Sequence, residues 1–292
     1  MVRSRETQAI LFGLAAVALW STVATVFKLG LAFLTPIQML WLGSVFSLAF
    51  FALSKLVIAP TPITRSVYFR AGLLGLVNPL AYYLILFEAY DRLPAQIAQP
   101  LNYTWAITLA ILAIPLLKQR LSSKALIGIG VSYVGVVILV TRGASVGLDT
   151  FDMGGITLAL LSTLLWSLYW LATIRIESHP APLMLIGFAV ATPIIGLLCW
   201  STDGFPPLTP RTLSVGVWVG LFEMGVTFLL WQQALSRTRQ VAKVSQLIFL
   251  SPFISLFLID QILGESVHPS AVIALGLIVL GVVLVNKPIV ER

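Results

Sequence analysis

Apolar residues run along this chain in blocks close to the roughly 20 residues that an α-helix needs to cross a bilayer core. The blocks lie near Thr7–Leu29, Ile37–Ile58, Val67–Phe87, Ala95–Leu117 and Ala125–Thr141. A second set follows near Gly154–Arg175, Leu183–Ser201, Thr212–Leu235, Val241–Leu263 and Ser270–Asn286. Proline-containing breaks separate them: Thr35-Pro36, Pro60-Thr61-Pro62, His179-Pro180, Pro206-Pro207 and His268-Pro269. The pattern predicts an all-α integral membrane protein of ten transmembrane helices. The first block is too long for a signal-peptide core and has no small-residue cleavage site, so it reads as the first span.

Composition agrees. Hydrophobic residues make up 59% of the 292 and charged residues 10%, with a mean hydropathy of +0.99. Soluble domains carry about 25% charge, and outward-facing Leu, Ile and Val are at no disadvantage in lipid. The net charge of +7 does not point to nucleic acid, because the excess basic residues sit between the apolar blocks. With the N-terminus in the cytoplasm, Arg3, Arg5, Lys55, Arg65, Arg70, Lys118, Arg120, Lys124, Arg175, Arg237, Arg239, Lys287 and Arg292 fall inside. Lys28, Arg92, Arg142 and Arg211 fall outside. That asymmetry predicts both termini in the cytoplasm. Cys199 is the one cysteine, so no intramolecular disulfide forms. With His179 and His268 at helix ends, no metal site and no cofactor are expected.

The chain repeats itself. Ala18-Leu19-Trp20-Ser21 returns as Leu164-Leu165-Trp166-Ser167, a shift of 146. Lys118-Gln119-Arg120-Leu121 aligns with Gly264-Glu265-Ser266-Val267, and Gly130 and Gly135 with Gly276 and Gly281, at the same shift. Ala89 and Arg92 match Ala234 and Arg237 after a one-residue gap. Five spans is an odd number, so the second copy enters the membrane from the opposite side, as in many secondary transporters. The expected division is a first five-helix repeat over 1–145 and a second, inverted one over 146–292, within one membrane domain.

Ten short spans in two repeats, the Leu-Trp-Ser of each first helix and Leu263-Gly264-Glu265 before the last resemble the drug/metabolite transporter superfamily. The resemblance is strongest to its ten-helix exporters with paired EamA-type repeats, and among these to bacterial exporters of aromatic amino acids. The first repeat departs by carrying Lys118-Gln119 where the second has Gly264-Glu265. The resemblance implies a bacterial inner-membrane exporter with a central cavity lined by helices one, three, four, six, eight and nine, with access alternating between the two faces. The implied substrate is a small molecule, an amino acid or related metabolite. Other metabolites and lipophilic drugs are the alternatives, and oligomeric state stays open, with a monomer allowed.

Polar groups at membrane depth are costly against lipid and usually face inward. In the fourth span Gln96, Gln99, Asn102, Tyr103 and Ala106 share one face, with Pro100 beside it. They line a pocket or bond neighbouring helices. Asn78 and Tyr82 share a face of the third span with Gly75. In the ninth, Lys243 and Gln246 form the mirror stripe, with Lys243 read as a cytoplasmic anchor. Trp166, Tyr169, Trp170 and Thr173 stand at helical spacing in the sixth span, with Trp20 at the equivalent site of the first; they stack on a ligand or simply pack. The candidate substrate-binding set is therefore Asn102, Tyr103, Tyr82, Gln246, Trp166, Asn78, Gln99, Trp170 and Trp20. Glu223, the one acid expected deep in a span, is the candidate for proton coupling, with Lys28 as its alternative partner. Gly128, Ser132 and Gly135 mark a close helix approach, read as internal packing. A membrane-embedded enzyme is the rival class; the paired acids, Ser–His dyad or metal motif it needs do not stand out, and the chain is read as non-enzymatic.

Overall fold

The computed structural model describes residues 2–54, 63–117, 123–141, 152–173, 176, 180–238, 244 and 246–285. Among them every regular element is helical. Six helices are long and apolar enough to cross a membrane: α1 (Arg5–Leu31), α2 (Pro36–Ser54), α3 (Arg65–Arg92), α6 (Met153–Thr173), α7 (Ala181–Thr202) and α8 (Pro210–Arg237). The others are shorter or broken. Helix α4 consists of Ala95–Tyr103 and Trp105–Leu117, α5 is Ser123–Thr141, and α10 is Pro269–Val285. Helix α9 is a 3₁₀ turn, Gln246–Leu250, followed by α-helical Ser251–Leu258 and a π-turn, Ile259–Leu263.

Local chemistry sets the interruptions. In α3 the backbone leaves helical geometry at Asn78, at φ −139° and ψ 116°. Pro79 has no N–H to give and its ring disfavours helical geometry in the residue before it. In α1 and α4 the break falls on a threonine. The Oγ1 of Thr22 donates to the Leu19 carbonyl at 2.7 Å, and that of Thr104 to the Leu101 carbonyl at 2.7 Å. In α8, Trp218–Val226 is π-helical, and the Thr227 hydroxyl donates to the Phe222 carbonyl five residues back.

The helices pair in two matching sets. Helix α3 packs on α7 as α8 packs on α2, α3 on α6 as α8 on α1, and α4 on α6 as α9 on α1. Helices α5 and α10 pack on each other. The closest crossings use glycine. A Cβ on Gly75 would strike the Gly187 backbone, and one on Gly220 the Gly43 carbonyl. The Ser47 hydroxyl donates to the Gly220 carbonyl at 2.8 Å across the second crossing. Between α5 and α10, Gly135 faces Ala274, Gly281 faces Ser132 and Gly128, and the Ser132 hydroxyl donates to the Ile278 carbonyl at 3.0 Å. The small residues of α5 thus serve a contact inside the chain.

Gly75→Ala and Gly220→Ala are expected to destabilise the fold by about 1–3 kcal/mol each, the usual cost of overpacking. Gly130→Ala and Gly276→Ala, where an added Cβ meets nothing within 4 Å, are expected to be neutral or slightly stabilising. Thermal melting of the four purified variants in detergent checks the contrast.

Candidate functional site

A cavity of about 460 Å³ lies between the two matching sets of helices. Its wall comes from α1, α3, α4, α6, α8 and α9, with Val283 of α10 at one edge. It runs from Phe27, Leu86 and Tyr90 to Leu109, Trp231 and Val283. On α4 the ten steps from Gln99 to Leu109 span roughly 15 Å at about 1.5 Å per residue.

The wall is aromatic, and Trp166 is its centre. Tyr82 stacks on Trp166 with ring centroids 4.7 Å apart. Trp170, Phe228 and Trp105 meet the same indole at 5.9, 5.8 and 6.5 Å. Across the cavity Trp20 packs edge-on against Trp231 at 5.5 Å and Phe228 at 6.0 Å. Five of the chain's eight tryptophans line this one space.

The polar groups fall into two kinds. Asn102 Nδ2 donates to Ser162 Oγ at 3.0 Å, joining α4 to α6, and Tyr103 donates to Ser251 Oγ at 2.9 Å, joining α4 to α9. Three others have buried atoms with no protein partner: Gln99 Oε1, Trp170 Nε1 and Glu223 Oε2. An unpaired buried polar atom costs about 1–3 kcal/mol, so a ligand or water that bonds these atoms gains by doing so. The other carboxylate oxygen, Glu223 Oε1, accepts a hydrogen bond from the Tyr83 hydroxyl at 3.2 Å.

Of the candidates named from the sequence, Asn102, Tyr103, Tyr82, Trp166, Gln99, Trp170, Trp20 and Glu223 all line the cavity. Asn78 does not. The break before Pro79 removes it from the face it would share with Tyr82, and it lies beside Tyr169 and Gly187 in a separate small pocket. The Gln246 side chain and all of Lys243 lie outside the described residues. Lys28 is not the partner of Glu223: its ammonium donates to the Tyr90 and Leu93 carbonyls at 2.8 and 3.1 Å, satisfying the C-terminus of α3. Gln96 turns to the end of the bundle instead of the cavity. Trp105 and Phe228 were not foreseen. Trp105 follows the break at Thr104, and the π-turn of α8 sets Phe228, five residues on, beside Glu223.

At the end carrying Lys28 and Arg92 a clamp joins α4 to the loop before α10. The Glu265 carboxylate accepts from the Ala95 and Gln96 amides at 3.2 and 3.4 Å, capping α4 with a negative charge. Gln96 Nε2 donates to the Ser266 carbonyl at 3.1 Å, and the His268 amide donates to Gln96 Oε1 at 3.2 Å. Arg92 binds Glu88 at 2.7 Å and reaches Asp152 at 3.6 Å. Among the described residues no group of three His, Cys, Asp or Glu gathers at one point.

A bundle of apolar helices long enough to span a membrane, around a central cavity, marks a multi-pass membrane protein. The chain belongs to the EamA-like transporter family, whose model matches it twice, over residues 7–141 and 153–287. An uncharacterized transporter of Bacillus subtilis, YyaM, is 23% identical over 74% of this chain and 71% of its own length. An uncharacterized transporter of Archaeoglobus fulgidus is 22% identical over 93% of this chain and 96% of its own. The aromatic amino acid exporter YddG of Ancylobacter novellus is 25% identical over 69% of this chain and 70% of its own. One solved crystal structure, 22% identical and matching 96% of both chains, superposes with a TM-score of 0.66 and so shares the fold.

Removing the clamp carboxylate loosens the clamped end. Glu265→Ala is expected to cost about 1 kcal/mol of capping. In a Cys199→Ser background it is expected to raise the labelling rate of a cysteine at Tyr90 about fivefold. A water-soluble thiol reagent added from the Arg92 side measures this.

Proposed function

We propose that the chain is a ten-span secondary transporter that exports amino acids, aromatic and other apolar ones first, through the cavity between two inverted five-helix repeats. The observation that carries this reading is the cavity wall: tryptophan and tyrosine faces for an apolar side chain, beside unpartnered Gln99, Trp170 and Glu223 atoms for a polar head. The likeness to an aromatic amino acid exporter supports the substrate class. The repeats are taken as 1–145 and 146–292, and the matching helix pairs fit a two-fold relation between them. Alternating access then swaps closure at the Glu265 end for closure at the other. The site comprises Asn102, Tyr103, Tyr82, Trp166, Gln99, Trp170 and Trp20, together with Gln246 of α9, and Glu223 is the proton-coupling group. The protein sits in a bacterial inner membrane with both termini in the cytoplasm.

Two measurements test this. A cysteine at Asp149 or Asp203 is expected to react with an impermeant thiol reagent added outside intact cells, and one at Arg65 or Lys124 to be spared; the reverse pattern inverts the orientation. In proteoliposomes loaded with a panel of labelled amino acids, with and without a pH gradient, Asn102→Ala and Gln246→Ala are expected to weaken apparent affinity about tenfold to a hundredfold. That is the worth of one buried hydrogen bond to a charged group, about 1.5–3 kcal/mol. Trp166→Ala is expected to impair aromatic substrates more than small ones. Wild-type affinity in all three variants moves the site elsewhere.

A further inference from the structure

Glu223 is 8% exposed, and its Oε2 has no partner. It is the one acidic residue among the described lining residues, which include no Lys, Arg or His. Gln99, 2% exposed, adds a second unpartnered acceptor in Oε1. On the donor side one fully buried atom is unpartnered, the neutral indole Nε1 of Trp170. The Asn102 amide gives one of its two hydrogens to Ser162, and the Tyr103 hydroxyl gives its own to Ser251. Lys28, on the same helix as Trp20, is held by backbone carbonyls at the clamped end. The same cavity wall carries the rings of Trp20, Tyr82, Trp166, Trp170, Phe228 and Trp231, whose faces attract cations.

This inventory is one-sided. An ammonium entering the cavity finds a carboxylate oxygen, an amide oxygen and several π-faces. A carboxylate entering it finds neutral donors but no cation among the described lining residues, and the like charge of Glu223, in a setting where little water screens the repulsion. A zwitterion gains at one end and loses at the other.

We propose that the cavity selects its substrates by a single positive charge, so that aromatic amines without a carboxylate bind there more tightly than the amino acids that share their rings. This rests on the reading of the cavity as the substrate site. In the bound state the ammonium meets Glu223 Oε2 and Gln99 Oε1, and the ring lies against Trp166 and Tyr82. The carboxylate of an amino acid is tolerated rather than recognised.

Three ligands with one ring and different charges test it: tryptamine, tryptophan and indole-3-propionate, titrated calorimetrically into the full chain in nanodiscs, with empty nanodiscs subtracted. Tryptamine is expected to bind at least tenfold more tightly than tryptophan, and indole-3-propionate most weakly. Glu223→Gln is expected to reduce the tryptamine advantage to less than threefold. Tryptophan binding as tightly as tryptamine, or more so, overturns charge selection and leaves the amino acid reading standing. An unchanged advantage in Glu223→Gln also overturns it. If none of the three binds, the cavity is not the substrate site and both readings fall. The ranking on the wild-type chain decides even where Glu223→Gln fails to fold.

Discussion

In lipid, a backbone N–H or C=O without an internal partner costs several kcal/mol, so irregular backbone survives at membrane depth only where it is buried or lines a cavity. This constraint organises the bundle. Helices α2, α5, α7 and α10 each run as one continuous α-helical element. Five of the six helices that supply the cavity wall, α1, α3, α4, α8 and α9, are interrupted. In α1, α4 and α8 the hydroxyls of Thr22, Thr104 and Thr227 donate to carbonyls one turn back. Each interruption also changes which side chains face the centre. The 3.6-residue rule fails at these places, and the cavity gains residues that a regular helix would turn away.

The two halves share one packing solution and differ in chemistry. The Gly75–Gly187 and Gly220–Gly43 crossings are counterparts under the repeat, and Ser132 bonds the carbonyl of Ile278, 146 residues on. Such contacts leave little room for divergence. Asn78 and Glu223 are 145 apart, the same shift that relates Ala89 to Ala234, and both sit inside the interruption of their helix. Pro79 follows Asn78 and turns the backbone there, while α8 continues through a π-turn and keeps Glu223 at the cavity. One architectural site thus holds a buried amide in one half and the cavity's carboxylate in the other.

That logic also explains how much the sequence disclosed. The long spans were legible because lipid rewards uniform apolar composition, and the repeat because Trp20-Ser21 and Gly135 return as Trp166-Ser167 and Gly281 at one shift. On α4 the face Gln99, Asn102, Tyr103 and Ala106 could be read from spacing, since these residues gather around Thr104 with only a small distortion. Gln96, one turn earlier on that face, is drawn off by Ser266 and His268, residues remote in sequence. Asn78 was misplaced because the effect of Pro79 on its neighbour outweighs helical periodicity. Phe228 was missed because no residue type announces a π-turn. The better signal was compositional: eight tryptophans are many for a chain this size, and most converge on one space.

Glu265 shows where the symmetry of the halves ends. Its carboxylate caps α4 through two backbone amides, and the bonds between Gln96 and residues 266–268 complete a clamp made of side chains and helix ends. Each such bond contributes about 0.5–1.5 kcal/mol net, and charge-assisted ones more. A clamp of this kind holds one end of the cavity and still opens on thermal energy, whereas the aromatic wall around Trp166 is fixed by many ring contacts at once. At the counterpart of Glu265 the chain carries Gln119, next to Lys118. A neutral amide is a weaker acceptor for a helix N-terminus than a carboxylate. The repeat therefore places unlike residue types, a carboxylate and an amide, at its two equivalent positions.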